Sequence, residues 1–141
     1  MPAAHHLPPI IIRSEDYDRL AWIATASMMG VRRSAIGEKL ADELLRAAVV
    51  GAPEVPSHVV TMNAQVTYRE RGRESCVQVV YPEDEDARAG RVSVLTDLGT
   101  ALLGLSAGQS ICWRCDAGTM RHLEVLDVSQ MPAAWNSRAA I

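Results

Sequence analysis

The sequence predicts an α+β protein: a short N-terminal pair of antiparallel helices, then an antiparallel sheet carrying one inserted helix. Three observations predict it. Apolar residues recur at helical spacing through residues 14–48, with Tyr17, Leu20 or Ala21, Ala24 and Met28 on one face, then Ile36, Leu40, Leu44 and Ala47 or Ala48 on another. Beyond a proline-containing linker at 53–57 the period changes to two: Val60, Met62, Ala64, Val66 and Tyr68 alternate with Thr61, Asn63, Gln65 and Thr67. Third, residues 92–108, VSVLTDLGTALLGLSAG, compress a strand, a sharp turn, a short helix and a glycine turn into one run.

Taken in order, residues 1–9 read as a loose leader containing His5 and His6, and residues 10–12 as a short strand or apolar lead-in. Ser14 is placed to cap the first helix, with Glu15 and Asp16 favouring its positive end. The helix is expected to stop near Gly30. Ser34 caps the second, and Gly51 and Pro53 end it by supplying a C-cap and removing a donor. Arg71-Gly72-Arg73 suits a hairpin turn between the strand ending near Tyr68 and one bearing Val77, Val79 and Tyr81. Residues 82–90 read as a solvated acidic loop containing Glu83-Asp84-Glu85-Asp86. Val92 and Val94 alternate with Arg91 and Ser93 as on a half-buried strand. Thr96 and Asp97 then occupy an N-cap, and Leu98, Ala101, Leu102 and Leu105 follow at helical spacing, with Gly104 and Gly108 at the exit. Strands are expected near 110–115 and 120–128. The expected organisation is a helical hairpin at 10–52, a sheet domain at 58–129 and a tail at 130–141.

Composition narrows the function classes. With 141 residues, 48% of them hydrophobic, the chain can bury one aliphatic core; it has no Phe. A formal net charge of −3 argues against direct nucleic-acid binding, which rests on dense Lys and Arg neutralising phosphates. No apolar run approaches the ~20 residues of a membrane span. No basic segment precedes the apolar part of the N-terminus, so a signal peptide is not expected. Three cysteines fit a reducing compartment, and the cytoplasm is the expected location. No hydrolytic triad or phosphate-binding loop is present, and no cofactor is expected.

The unit at 92–108 resembles the C-terminal domain of the Gre transcript-cleavage factors, where a strand is followed by a Ser-Pro turn and a small-residue helix ending LIG or LLG. With ALLGL followed by an AG turn, and HVVTMNAQVTYRE at 58–70 resembling the group's first sheet strand, the chain looks most like the Rnk-type regulators of nucleoside diphosphate kinase, a branch of the Gre family. The resemblance covers roughly residues 10–128. It implies a short coiled-coil hairpin ahead of an FKBP-like sheet domain. It also implies a partner, RNA polymerase, bound at the secondary-channel rim of its largest subunit, and a regulator rather than an enzyme. The oligomeric state is left open, a monomer being favoured over a dimer.

Two groups of residues follow from that resemblance. The turn Leu95, Thr96, Asp97 and Leu98 corresponds to the Ser-Pro-hydrophobic turn that docks on the polymerase. It keeps a hydroxyl and an apolar residue, but where the family usually has proline it has Asp97, which cannot preset φ as proline does. The plain alternative is that Thr96 or Asp97 only caps the helix. The hairpin tip, with Met28, Met29, Val31, Arg32 and Arg33, reads TASMMGVRR over 25–33 and holds no Asp or Glu. Cleavage factors place acidic residues there to help hold Mg²⁺, so this tip argues against transcript cleavage. In the alternative, the methionines pack and the arginines are solvated.

Two other readings stay open. Cys112-Trp113-Arg114-Cys115 is a C-x-x-C which, with Cys76 and His122, would make a metal or thiol sensor if folding converged the four side chains. Residues three apart on a strand point to opposite faces, so packed, reduced cysteines are the simpler expectation. The other is an enzyme, with residual transcript-cleavage or prolyl-isomerase activity. The scarcity of aromatics opposes an aromatic-lined isomerase pocket. Trp22 and Ile23 lie off the main apolar face of the first helix, which suits either a contact surface or burial on the sheet.

Overall fold

The structure, a computed structural model, describes residues 8–29, 35–114 and 118–130. A short strand β1 (Ile11–Arg13) leads into α1 (Ser14–Met29). Then come α2 (Ala35–Arg46) and β2 (Ala48–Val50), which pairs in parallel with β1. The second helix is therefore shorter than the sequence reading, and its Gly51–Pro53 stop follows a strand instead of a helix. Ser14 falls inside the first helical turn instead of before it.

The two helices pack through their small residues. A Cβ on Gly37 would lie 2.9 Å from Ser27 Cβ and 3.0 Å from the Ala24 carbonyl oxygen, so only glycine lets α2 approach α1 there. Tyr17 and Ala21 share a surface hollow with Ala41 and Leu44. Residues early in α1 thus meet residues late in α2, and the chain directions oppose.

The sheet has five strands in the order β5-β4-β3-β7-β6. In chain order these are β3 (Gln65–Glu70), β4 (Arg73–Val80), β5 (Arg91–Ser93), β6 (Ser110–Arg114) and β7 (Met120–Ser129), with α3 (Asp97–Leu102) between β5 and β6. Arg71 and Gly72 form the two-residue turn between β3 and β4. Both have positive φ, 55° and 76°, the twist that closes a tight hairpin. The register of β7 on β3 shifts between Thr67 and Tyr68. The edge strand β5 joins β4 in parallel, so the sheet is mostly rather than wholly antiparallel.

Residues 60–64 do not form the expected strand. Val60, Met62 and Ala64 are buried as the alternation requires, but Thr61 is buried too, and Asn63 takes a φ of 73°. The segment turns over the sheet, with the Asn63 amide donating to the Val79 carbonyl at 2.6 Å.

One core joins helices and sheet. Leu20, Leu40 and Leu44 from the helices meet Ile10 and Ile12, then Val66, Val79, Leu102, Leu123 and Val125. Gly104 sits where the chain before α1 meets the sheet domain. Its φ of 83° and the 2.8 Å that would separate a Cβ from Ile10 Cβ exclude a side chain. The Ile11 amide donates to its carbonyl at 3.1 Å, which fastens β1 to the sheet domain. Among the described residues no helix is long and apolar enough to cross a membrane.

Candidate functional site

The turn that follows β5 is held by a closed set of local bonds. The parallel pairing ends with the Val94 amide donating to the Val80 carbonyl at 2.8 Å. The Ser93 hydroxyl then accepts from the Leu95 amide at 3.0 Å, and the Ser93 carbonyl accepts from Thr96 Oγ1 at 2.7 Å. Thr96 Oγ1 in turn accepts from the Gly99 amide at 3.0 Å, which makes Thr96 the N-cap of α3. Thr100 Oγ1 donates to the Val94 carbonyl at 2.6 Å. Gly99 seats the helix on the strand: a Cβ there would fall 2.2 Å from the Ser93 carbonyl oxygen. Ser93, read as solvent-facing from the alternation, is buried because it serves this turn.

Leu95 and Leu98 flank the cap, each half-buried and packed against the core. Each therefore offers the surface only part of its side chain. Asp97 opens α3, where a carboxylate is favoured by the helix dipole, and its Oδ1 lies 3.2 Å from Nζ of Lys39 on α2.

A second set of contacts ties α1 to the same end of the sheet. The Tyr81 hydroxyl donates to Asp16 Oδ1 at 2.9 Å, and Asp16 is paired with Arg13 at 2.8 Å. The Arg19 guanidinium stands 3.7 Å from the centroid of the Tyr81 ring and also meets Glu83. Burial, then the adjacent Asp16 carboxylate, pushes the Tyr81 phenol well above the usual tyrosine range. In the acidic run Glu83, Glu85 and Asp86 are exposed, as expected of a solvated loop; Glu83 also reaches Arg19 of α1, and the Asp86 side chain accepts from the Arg88 amide. Sequence reasoning missed the Tyr81–Asp16 and Arg19–Glu83 contacts, because each joins residues far apart in the chain and carries no local signal.

Of the expected tip residues, Met28 is half-buried and Met29 is 79% exposed at the end of α1, while Val31, Arg32 and Arg33 lie outside the described residues. Trp22 is 70% exposed, whereas Ile23 packs against the core.

The cysteine set is not assembled. Cys112 and His122 face one another across β6 and β7, but Cys76 sits on β4. Three strand spacings separate β4 from β6, roughly 14 Å at ~4.8 Å each, too far for Cys76 and Cys112 to share an ion. Cys115 lies outside the described residues. Among the described residues no group of three or more His, Cys, Asp or Glu is placed to hold a metal.

Comparison with known proteins gives a consistent set. Residues 55–130 match the family described as transcription elongation factor, GreA/GreB, C-terminal, and residues 8–50 match the Rnk N-terminus family. The chain is 35% identical over 130 residues to the regulator of nucleoside diphosphate kinase of Escherichia coli K12, covering 90% of this chain and 93% of that one. It is 30% identical over 93 residues to the transcription elongation factor GreA of Magnetococcus marinus, covering 64% of this chain and 59% of that one. A solved structure, the prokaryotic transcription elongation factor GreA/GreB from Nitrosomonas europaea, superposes with a TM-score of 0.64 at 34% identity, over 85% of this chain and 98% of that one.

Proposed function

We propose that this chain, which belongs to the GreA/GreB transcription elongation factor family and carries its Rnk-type N-terminus, is a regulator that binds RNA polymerase at the secondary-channel entrance. Membership of the family makes it a transcription-elongation-factor-like regulator. The turn at 95–98 supports docking at the channel entrance. Thr96 caps α3 and Gly99 seats it, so Leu95 and Leu98 are held in place before any partner arrives. A preformed apolar contact avoids the ordering cost of a flexible loop on binding.

In this reading residues 58–129 are the FKBP-like docking domain and residues 10–52 the short coiled-coil hairpin. The hairpin enters the channel mouth without reaching the active centre. Helix α1 has 16 residues and α2 has 12, or about 24 and 18 Å at 1.5 Å per residue. The tip sequence brings no carboxylate for Mg²⁺. The protein therefore acts by occupancy, competing with Gre cleavage factors, and does not stimulate cleavage itself. The link to nucleoside diphosphate kinase carried in the relative's name is read as an indirect consequence of altered transcription.

Transcript cleavage on a stalled elongation complex tests this. Alone, the chain is expected to leave the transcript intact. Titrated against a cleavage factor, it is expected to suppress that factor's activity. Cleavage by the chain alone contradicts the reading of the tip, and unaffected factor activity contradicts the competition.

A further inference from the structure

At the end of the sheet opposite the 95–98 turn, where β4 begins, lies a groove of about 390 Å³. Tyr68, Glu70, Arg71, Arg73, Ser75, Thr119 and Arg121 line it. Tyr68 is only 9% exposed, and its hydroxyl, which is not among the buried atoms, makes no hydrogen bond to another described residue. It is therefore open to a ligand as a hydrogen-bond donor.

The charges around the groove are unbalanced. Glu70, the nearest carboxylate, is taken by Arg121 in a bidentate pair of 2.7 and 2.8 Å, and this pairing holds its carboxyl below the usual range. Arg69 is occupied by Glu74 and Glu124. Among the described residues Arg71 and Arg73 make no close ion pair, although Arg71 is near enough to Glu70 to help lower its carboxyl and Arg73 stands opposite it in the strand register. Three guanidiniums, those of Arg71, Arg73 and Arg121, and one carboxylate, that of Glu70, thus line the groove beside the Tyr68 and Ser75 side chains, a local excess of positive charge in a chain whose net charge is −3.

We propose that this groove binds the phosphate group of a small phosphorylated molecule. A tetrahedral oxyanion has enough oxygens to accept from both guanidinium forks and from the Tyr68 hydroxyl at once, which a flat carboxylate has not. A long polyanion is disfavoured by Glu70, Glu74 and Glu124 around the rim and by the acidic chain as a whole. The site is independent of the polymerase reading, since it lies at the far end of β4 from the turn at 95–98.

The test is a titration of the intact, ¹⁵N-labelled chain at constant ionic strength, using pyrophosphate, adenosine 5′-monophosphate, adenosine, succinate and a single-stranded RNA as separate probes. Saturable shifts at Tyr68, Arg73 and Ser75 are expected with the two phosphates, and none with adenosine or succinate. The double variant Arg71→Asn, Arg73→Gln is expected to weaken binding about tenfold or more, and Tyr68→Phe about threefold, from the loss of charge-assisted and neutral hydrogen bonds respectively. Asparagine is used because Arg71 has positive φ, and Arg73→Gln alone serves if the double variant does not fold. The proposal is overturned by the absence of saturable shifts with both phosphates, by equal response to succinate, by RNA binding much tighter than pyrophosphate at the same residues, or by variants that bind as the parent does.

Discussion

Lys39 Nζ and Asp97 Oδ1 lie 3.2 Å apart across 58 positions of sequence, and their contact joins the second helix to the first turn of α3. Asp97 is the position where the Gre-type turn has proline. In place of a fixed φ, this chain has a carboxylate that is paired across to α2. Helix α2 and the 95–98 turn are thereby coupled.

That coupling is measurable. In a double-mutant cycle of Lys39→Met and Asp97→Asn, unfolding by denaturant is expected to show an interaction of about 0.5 kcal/mol, the magnitude of a partly exposed pair. It is expected to weaken in high salt. Additive effects within error remove the coupling.

The Thr96 cap gives a second expectation. Thr96→Ala removes the acceptor for the Gly99 amide and the donor to the Ser93 carbonyl, and is expected to cost about 1 kcal/mol of stability. Thr96→Ser keeps both bonds and is expected to lose only a few tenths of that order. If the two variants melt together, the hydroxyl is not what holds the turn.

Tyr81 supplies a pH dependence. Its phenol is held above the ordinary tyrosine value by burial and by Asp16, so the folded state keeps a proton that the unfolded chain releases. The Tyr81 contribution is fully present below the unfolded value of about 10 and is lost as pH rises beyond it. Tyr81→Phe is therefore expected to be less stable than the parent at pH 7–9, by about 1.5 kcal/mol for a hydrogen bond to a charged acceptor. The gap is expected to close above pH ~10. A gap that is constant with pH, followed by thermal melts, contradicts the assignment.

How much of this was legible in the sequence depended on whether a feature is local. The Thr96 cap and the Arg71-Gly72 turn were readable because their donors, acceptors and backbone angles sit within four residues. The strand β2 was not, since its pairing with β1 spans both helices and Gly51–Pro53 mimics a helix stop. Residues 60–64 show a subtler failure: their alternation correctly named buried residues, but a chain turning over a sheet can alternate too. Asn63, a residue that tolerates positive φ, was the signal against a strand. The candidate turn itself was visible as a run at 92–108. Its ties to Lys39, and the Tyr81–Asp16 bond beside it, required the fold.

The central claim, that the 95–98 turn docks on RNA polymerase, is tested most directly by equilibrium binding of the labelled chain to core polymerase with a Gre cleavage factor titrated in. Mutually exclusive binding is expected, weakened about tenfold or more by Leu95→Asp or Leu98→Asp, the loss that follows when an apolar anchor is replaced by a charge at a contact. Thermal melts of both variants show whether the fold survives the change. Simultaneous binding of both factors, or folded variants that bind as tightly as the parent, would contradict it.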